Sequence, residues 1–331
     1  MSIINIVNDN KSSVTLIMYQ VILALIPGIG AMVWWFGANV LIQISLAIIT
    51  ALITEALILR LRQREFIKTI FDGSGILTAI LLAISIPPIA PWWLIVIGTF
   101  FAIVFGKQLY GGLGNNIFNP AMLGFVVLII SFPKQMTLWA NVDLVNNLSV
   151  FEQIKLIFVA PQSFDAISGA TPLGGLNTAL IQGISANSFI SETNLTAWTM
   201  INWGFFLGGV ILLITKTIRW HIPVAYLLSL SAMALIFNLI NPEVYPPLDF
   251  HLLMGATMLG AFFIATDPVS ASTTNLGRLI YGAGIGFLIF IIRSFGSFHD
   301  AIAFAVIFMN IVVPLLDAYT KPKPFGSNND E

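Results

Sequence analysis

The chain of 331 residues contains no cysteine and only three histidines. Without cysteine it can form no disulfide, no thiolate-ligated iron–sulfur cluster and no cysteine nucleophile. The histidines, His221, His251 and His299, lie far apart in the sequence, which argues against an imidazole zinc site or a bis-histidine haem. Redox chemistry in this chain would therefore need an organic cofactor.

Charged residues are also scarce. They make up 9% of the chain, against about 25% in soluble domains, while 57% is hydrophobic and the mean hydropathy is +0.93. The formal net charge of −1 argues against a nucleic-acid partner, because phosphate binding needs clustered Lys and Arg. The composition predicts an all-α, polytopic membrane protein.

The apolar residues fall into ten runs, each near the roughly 20 residues that cross about 30 Å of hydrocarbon. These predicted transmembrane helices cover residues 14–37, 39–59, 68–87, 91–110, 120–133, 199–215, 221–240, 250–266, 277–293 and 299–318.

Basic residues predict the orientation through the positive-inside rule. With both termini cytoplasmic, the outer side keeps only Lys134, Lys155 and Arg293. The inner side then holds eleven basic residues: Lys11, Arg60, Arg62, Arg64, Lys68, Lys107, Lys216, Arg219, Arg278, Lys321 and Lys323. This asymmetry places the long polar loop 134–198 on the periplasmic side.

The same loop divides the chain into a first five-helix half, 1–133, and a second half with a short tail, 199–331. The hexapeptide Gly106–Gly111 is similar to Gly277–Gly282. An odd number of spans per half would make a duplicated half an inverted repeat. Chance similarity of six residues is the alternative.

Two acids fall within or beside the apolar runs. Glu55 lies in the second run and Asp72 near the start of the third. A charge in hydrocarbon costs about 2.5–3.5 kcal/mol on insertion scales, so such acids are usually functional. We predict that they contribute to an ion pathway. For Glu55 the alternative is snorkelling or a polar contact between helices.

Two stretches rich in Gly, Pro, Asn, Ser and Thr, Gly111–Pro120 and Ala265–Asn275, could interrupt helices. Interrupted helices form binding sites near the membrane midplane in many transporters. Asn119 and Asp267, each followed by Pro, are the candidate ligand-binding residues. The alternative is that both stretches simply connect helices.

The polar loop also carries Asp165-Ala-Ile-Ser-Gly-Ala-Thr-Pro-Leu173. It resembles the acceptor sequence at which a flavin transferase joins the phosphate of FMN to a threonine hydroxyl. A second Gly-Ala-Thr, ending at Thr257, lies in an apolar run and lacks the preceding Ser and Asp. We therefore predict covalent FMN on Thr171. An ordinary turn is the alternative, since these residue types are common in turns.

Further segments extend the resemblance over almost the whole chain. Together with the acceptor sequence, the chain resembles the D subunit of the Rnf electron-transport complex, a family related to the B subunit of the sodium-translocating NADH:quinone reductase. The segments that carry the resemblance are Phe105–Gly124, Gly260–Asn275 and Ile292–Gly296.

The resemblance implies a ten-helix subunit of the bacterial inner membrane, with FMN on Thr171. It would work with the other subunits of a complex that moves electrons between ferredoxin and NAD and couples this to Na⁺ or H⁺ movement. Ser168, Gly169 and Ala170 would let the loop enter the flavin transferase, and Asp165 would orient the acceptor. The family also implies a second, noncovalent flavin, for which Asn119 and Asp267 are the weaker candidates.

Two other classes of function are compatible with the residues alone. Interrupted helices and buried acids also fit a secondary transporter or channel without redox chemistry. A purely structural subunit is the third hypothesis, and it predicts that Thr171 has no role in activity.

Overall fold

The computed structural model describes residues 14–64, 71–145, 148–159, 168–296, 298 and 300–321. The described chain is mostly helical with almost no strand, as predicted. Its helices before the polar loop are α1 (Val14–Phe36), α2 (Asn39–Leu61), α3 (Ser74–Ser85), α4 (Trp92–Gln108) and α5 (Pro120–Ser131).

The segment predicted as a polar loop folds into short elements. The pattern of residues explains this: Ser149 and Glu152 form a capping box at the start of one helix, and Thr171-Pro172 begins another. In chain order the elements are α6 (Pro133–Thr137), β1 (Trp139–Ala140), α7 (Val142–Val145), α8 (Val150–Val159), β2 (Ser168–Gly169), α9 (Pro172–Ile181) and α10 (Ala186–Glu192).

The second set of apolar helices follows. It comprises α11 (Thr196–Ile214), α12 (His221–Ile240), α13 (Leu248–Leu253), α14 (Thr257–Leu259, which continues as a π-helix over Gly260–Ile264), α15 (Asn275–Phe295) and α16 (Ile302–Thr320). Within the described residues, six helices are long and apolar enough to cross a membrane, namely α1, α2, α11, α12, α15 and α16. The apolar helices α3, α4 and α5 are shorter.

Two predicted spans differ from the observed helices. Among the described residues of the run 68–87, the helix begins at Ser74, because Gly73 adopts φ +81° in front of it. The run 250–266 is interrupted between α13 and α14, where Gly255 adopts φ +65°. A count of ten membrane spans and an inverted repeat remain predictions.

The two similar hexapeptides occupy different positions in their helices. Gly106–Gly111 covers the C-terminal end of α4 and the turn beyond it, whereas Gly277–Gly282 lies in the first turns of α15. Their similarity therefore does not support the repeat. A better parallel is that the third apolar run in each half is short or interrupted, as in α3 and in α13–α14.

Close packing between α1 and α11 joins the two halves. A Cβ on Gly208 of α11 would lie 1.9 Å from the carbonyl oxygen of Ala24, and one on Gly204 would lie 2.8 Å from that of Pro27. Small residues let apolar helices approach this closely, which is the usual basis of helix association in membranes.

The polar segment lies at one end of this bundle. At the start of α2, Asn39 N donates to Gln153 Oε1 of α8 at 3.1 Å. Beyond the other end of α2, Arg62 and Arg64 donate to the carbonyl oxygens of Gln108 and Gly111. The segment from α6 to α10 is therefore on the face of the bundle opposite Arg62 and Arg64.

Candidate functional site

Thr171 is the N-cap of helix α9. Its backbone is extended (φ −65°, ψ 158°), and its Oγ1 accepts a hydrogen bond from Gly174 N at 3.2 Å. Pro172 follows at the first helical position, where its missing N–H costs nothing. The hydroxyl therefore lies at the positive end of a ten-residue helix, a position that favours anions.

The residues before Thr171 form a short strand. Ser168 and Gly169 pair antiparallel with Ala140 and Trp139, and Ala170 between the strand and the helix is exposed. Asp165 lies outside the described residues. Thr171 itself is partly exposed, whereas Thr257 of the second Gly-Ala-Thr is fully buried.

Thr171 lies on the wall of a cavity of about 460 Å³. Pockets that hold drug-sized ligands usually measure about 300–1,000 Å³. Residues from both halves of the chain line it, so the cavity opens where the halves meet beneath α9. The wall includes Met32, Phe36, Ile84, Phe125, Trp139, Ala170, Gly174, Trp198, Phe205, Leu259 and Asp300.

Three aromatic side chains form one side of this cavity. The ring centroids of Trp139 and Trp198 are 5.1 Å apart, and Phe36 lies 6.0 Å from Trp139 and 5.9 Å from Trp198. Because β1 pairs with β2, Trp139 lies directly opposite Gly169 in the two-stranded sheet. The acceptor segment and the aromatic wall are therefore held together by backbone hydrogen bonds.

Glu55 and Asp72, the predicted ion-pathway acids, belong to a second polar site. Glu55 Oε1 accepts from Lys107 Nζ at 2.5 Å and from Gln108 Nε2 at 2.7 Å. Lys107 Nζ also contacts Ser74 Oγ at 2.6 Å, and Ser74 N donates to Asp72 Oδ1 at 2.8 Å. The structure thus connects the two acids through Lys107 and Ser74.

The position of Lys107 corrects the prediction from the sequence, which placed it in a cytoplasmic loop. It lies in the π-helical end of α4, its side chain is 1% exposed, and it pairs with Glu55, which is 0% exposed. Glu55 thus makes a polar contact between α2 and α4, and its part in an ion pathway stays a prediction.

Asn119 and Asp267 belong to two loops that meet around Asn310. Asn119 N donates to Asn310 Oδ1 at 3.1 Å, and Asn310 Nδ2 donates to Ser270 O at 3.0 Å. Asn119 also caps α5 by accepting from Met122 N, and Asp267 Oδ2 accepts from Ser270 N at 3.1 Å. Neither Asn119 nor Asp267 is among the described residues that line the Thr171 cavity.

Four residues that the structure brings to these sites were not predicted from the sequence: Lys107, Trp139, Trp198 and Asp300. The two tryptophans lie near the two ends of the polar segment, and Asp300 is the second residue of the last predicted run, 299–318. Nothing in the sequence shows that Trp139, Trp198 and Asp300 share a cavity with Thr171.

Comparison with known proteins gives a consistent result. The chain is 47% identical to the D subunit of the ion-translocating oxidoreductase complex of Shigella dysenteriae serotype 1 and to that of Escherichia coli K12, over 96% of each chain. It is 49% identical to the corresponding D subunit of Pectobacterium carotovorum, again over 96% of each chain. The model of the NQR2, RnfD, RnfE family matches residues 7–326. The predicted resemblance is therefore confirmed, and the chain belongs to the NQR2, RnfD, RnfE family.

Proposed function

We propose that this chain is the membrane subunit of an ion-translocating oxidoreductase complex and that it carries FMN joined to Thr171 by a phosphodiester bond. The names of its relatives support the first part. The single observation that carries the second is that Thr171, in a sequence typical of flavin acceptors, lies on the wall of a ligand-sized cavity.

The position of Thr171 at a helix N-terminus suits a phosphodiester. On esterification Oγ1 would bond to phosphorus while one oxygen-linked group leaves the phosphorus and the hydroxyl loses its proton. Relative to free FMN and threonine, the net loss is one water. Gly174 N, which donates to Oγ1 in the structure, would remain a donor to the phosphate group. The partial positive charge of the helix end stabilises the negative charge of the diester.

The aromatic wall suits a planar ring system. When bound, FMN supplies the capacity to accept and donate electrons. Trp139 and Trp198 would hold the ring by offset or edge contacts, since the cavity wall around them is largely apolar. Both side chains are partly exposed, so they are available for contact. Exclusion of bulk water by Phe36 and Phe125 would keep the ring environment apolar.

We assign ion movement to the chain of polar contacts that joins Asp72, Ser74, Lys107 and Glu55. Buried charges are expensive in a membrane and are retained mainly where they have a role. The chain of contacts lies toward the end of α2 that carries Arg62, whereas the Thr171 cavity lies at the opposite end. Coupling between electron transfer and Na⁺ or H⁺ movement would then act through the helices between the two sites.

The proposed orientation puts both termini in the cytoplasm of a bacterial inner membrane and Thr171 on the periplasmic side. When the buried Lys107 is left out of the count, the inner side still holds many more basic residues than the outer side. Other subunits of the complex would exchange electrons with the flavin, including partners linked to ferredoxin and NAD. A flavin transferase would attach FMN during maturation.

A second, noncovalent flavin is also proposed, with Asn119 and Asp267 as its candidate contacts. Their side-chain oxygens already accept hydrogen bonds within their loops. A flavin there would therefore be held mainly by other groups of the two loops.

A transporter without redox chemistry is the second candidate. The interruption between α13 and α14 favours it, because Asn202 donates to the carbonyl oxygens of Leu253 and Gly255 and so stabilises non-helical backbone among apolar helices. Such interruptions bind ions or solutes in transporters.

In-gel fluorescence separates the two candidates. The full chain, produced with a flavin transferase and run on a denaturing gel, should show flavin fluorescence. Thr171→Ala should abolish the signal, because the attachment oxygen is lost. Thr178→Ala is the matched control, since Thr178 lies about two turns further along α9 and lines the same cavity. A dark wild-type band would favour the transporter.

A further inference from the structure

Asp300 is an acid on the wall of an otherwise largely apolar cavity. It lies in the connection between α15, which ends at Phe295, and α16, which begins at Ile302. The same cavity is lined by Thr171 and by the aromatic wall. Asp300 is outside every motif identified from the sequence.

One oxygen of this carboxyl group is buried without a partner. Asp300 Oδ1 is inaccessible to solvent and forms no hydrogen bond with any residue that the structure describes. Buried polar atoms are normally paired, so an exception calls for an explanation such as a catalytic role or a missing ligand. A group bound in the cavity would supply the missing partner.

The charged and titratable groups around Asp300 come from three helices. The positive charge of Arg293 of α15 acts on Asp300, the buried Tyr226 of α12 is close enough to be influenced by Asp300, and Arg293 contacts His251 of α13. Arg293 donates to His251 O at 2.9 Å and to Thr257 Oγ1 at 3.0 Å. Its hydrogen bonds thus hold the interruption between α13 and α14. His299, next to Asp300 in the chain, lies outside the described residues.

These surroundings favour the protonated acid. Burial raises the pKa of the Asp300 carboxyl above its ordinary value, and the positive charge of Arg293 opposes only part of this effect. A raised pKa brings a carboxyl closer to the range in which acid–base groups exchange protons.

We propose that Asp300 is the proton-exchanging residue of the Thr171 cavity. The inference rests on the proposed function, because it requires a flavin ring in the cavity. If redox partners of the complex delivered two electrons to a ring bound there, Asp300 would give up one proton to it. Asp300 would then stay ionised while the ring is reduced, and reoxidation would return the proton to it together with the loss of the two electrons.

A structural role is the competing explanation. Asp300 lies two residues before Ile302, the first residue of α16, where an acid would stabilise the positive end of the helix as helix-capping acids do. A capping acid stays ionised whatever the redox state of a neighbouring group. The two roles therefore differ in whether the protonation of Asp300 changes when the flavin is reduced.

Redox-difference infrared spectroscopy measures that change directly. The full chain carrying FMN would be reduced and reoxidised at an electrode, in H₂O and in D₂O. The difference spectrum should contain a carbonyl band of a protonated carboxylic acid that shifts in D₂O. Asp300→Asn should lose this band, and Asp300→Glu should shift its frequency. Asp249→Asn is the control, because Asp249 is an exposed acid of α13 that does not line the cavity.

The outcomes are distinct. A wild-type protein that carries FMN but shows no carboxyl band overturns the inference and leaves the proposed function intact, even if neither variant folds. A band that persists unchanged in Asp300→Asn also overturns it. Wild-type protein without covalent flavin defeats the proposed function first, and the inference with it. Loss of the band in Asp300→Asn together with its retention in Asp249→Asn supports the proposal.

Discussion

Replacing Lys107 by Met should destabilise the protein more than any exposed charge substitution. Lys107 Nζ lies 2.5 Å from Glu55 Oε1 and 2.6 Å from Ser74 Oγ, and both charged side chains are almost completely buried. Met preserves the length and the apolar character of the side chain but removes the ammonium. Glu55 would then keep only Gln108 Nε2, at 2.7 Å, as a hydrogen-bond donor.

The size of the effect follows from leaving a buried charge without its partner. Removing one member of a buried ion pair typically costs about 3–5 kcal/mol, because the remaining charge is no longer compensated. Since about 1.4 kcal/mol is a factor of ten, the ratio of folded to unfolded protein should fall roughly 100-fold or more. Replacing both charges should cost less, and the double variant Glu55→Gln, Lys107→Met should recover about half of the loss or more.

Equilibrium unfolding by denaturant in one detergent measures the free energies of unfolding of wild type and variants. Lys155→Ala is the control: Lys155 is exposed, and its ammonium lies 4.6 Å from the Phe151 ring centroid, a contact worth about 0.5–1 kcal/mol. If Lys107→Met is as mild as Lys155→Ala, or if the double variant is no more stable than Lys107→Met alone, the reasoning about this ion pair is wrong.

Three further predictions concern orientation, packing and charge. Single cysteines would be placed at the exposed positions Ser191 and Lys321 and treated with an impermeant maleimide in cells with a permeabilised outer membrane. Only the cysteine at Ser191 should react; labelling only at Lys321 would reverse the proposed orientation. Gly208→Ala should lower the free energy of unfolding by about 1–3 kcal/mol, because the new Cβ would lie 1.9 Å from a carbonyl oxygen of α1. Gly30→Ala is the control: its Cβ would meet nothing within 4 Å, so this variant should be neutral or slightly stabilising. Asp72→Asn should leave the flavin label intact and slow ion translocation by the assembled complex; ion transport at the wild-type rate would make Asp72 structural.

The sequence predicted the positions of most apolar helices because continuous apolar runs are a direct consequence of the membrane environment. It could not predict the interruption between α13 and α14. Gly255 gives a local hint, but the interruption is stable because Asn202, 53 residues away in the chain, donates to Gly255 O. Such tertiary hydrogen bonds leave no periodic pattern in either segment.

The candidate site was predictable to a similar extent. Thr171 stands out because its surrounding sequence is specific. The residues that share the cavity with Thr171 are not visible in this way. Trp139 is placed there by strand pairing with Gly169, and Asp300 by the connection between α15 and α16, far from Thr171 in the sequence. Lys107 was misplaced because the prediction assumed that a cation near the end of an apolar run lies in a loop.

Mass spectrometry of the peptide that contains Thr171 is the most direct test of the account. The full chain, produced together with a flavin transferase, should yield this peptide with the added mass of FMN less one water, and fragmentation should assign the addition to Thr171. The same peptide from Thr171→Ala should be unmodified. An unmodified Thr171 in wild-type protein made with an active transferase would contradict the central claim.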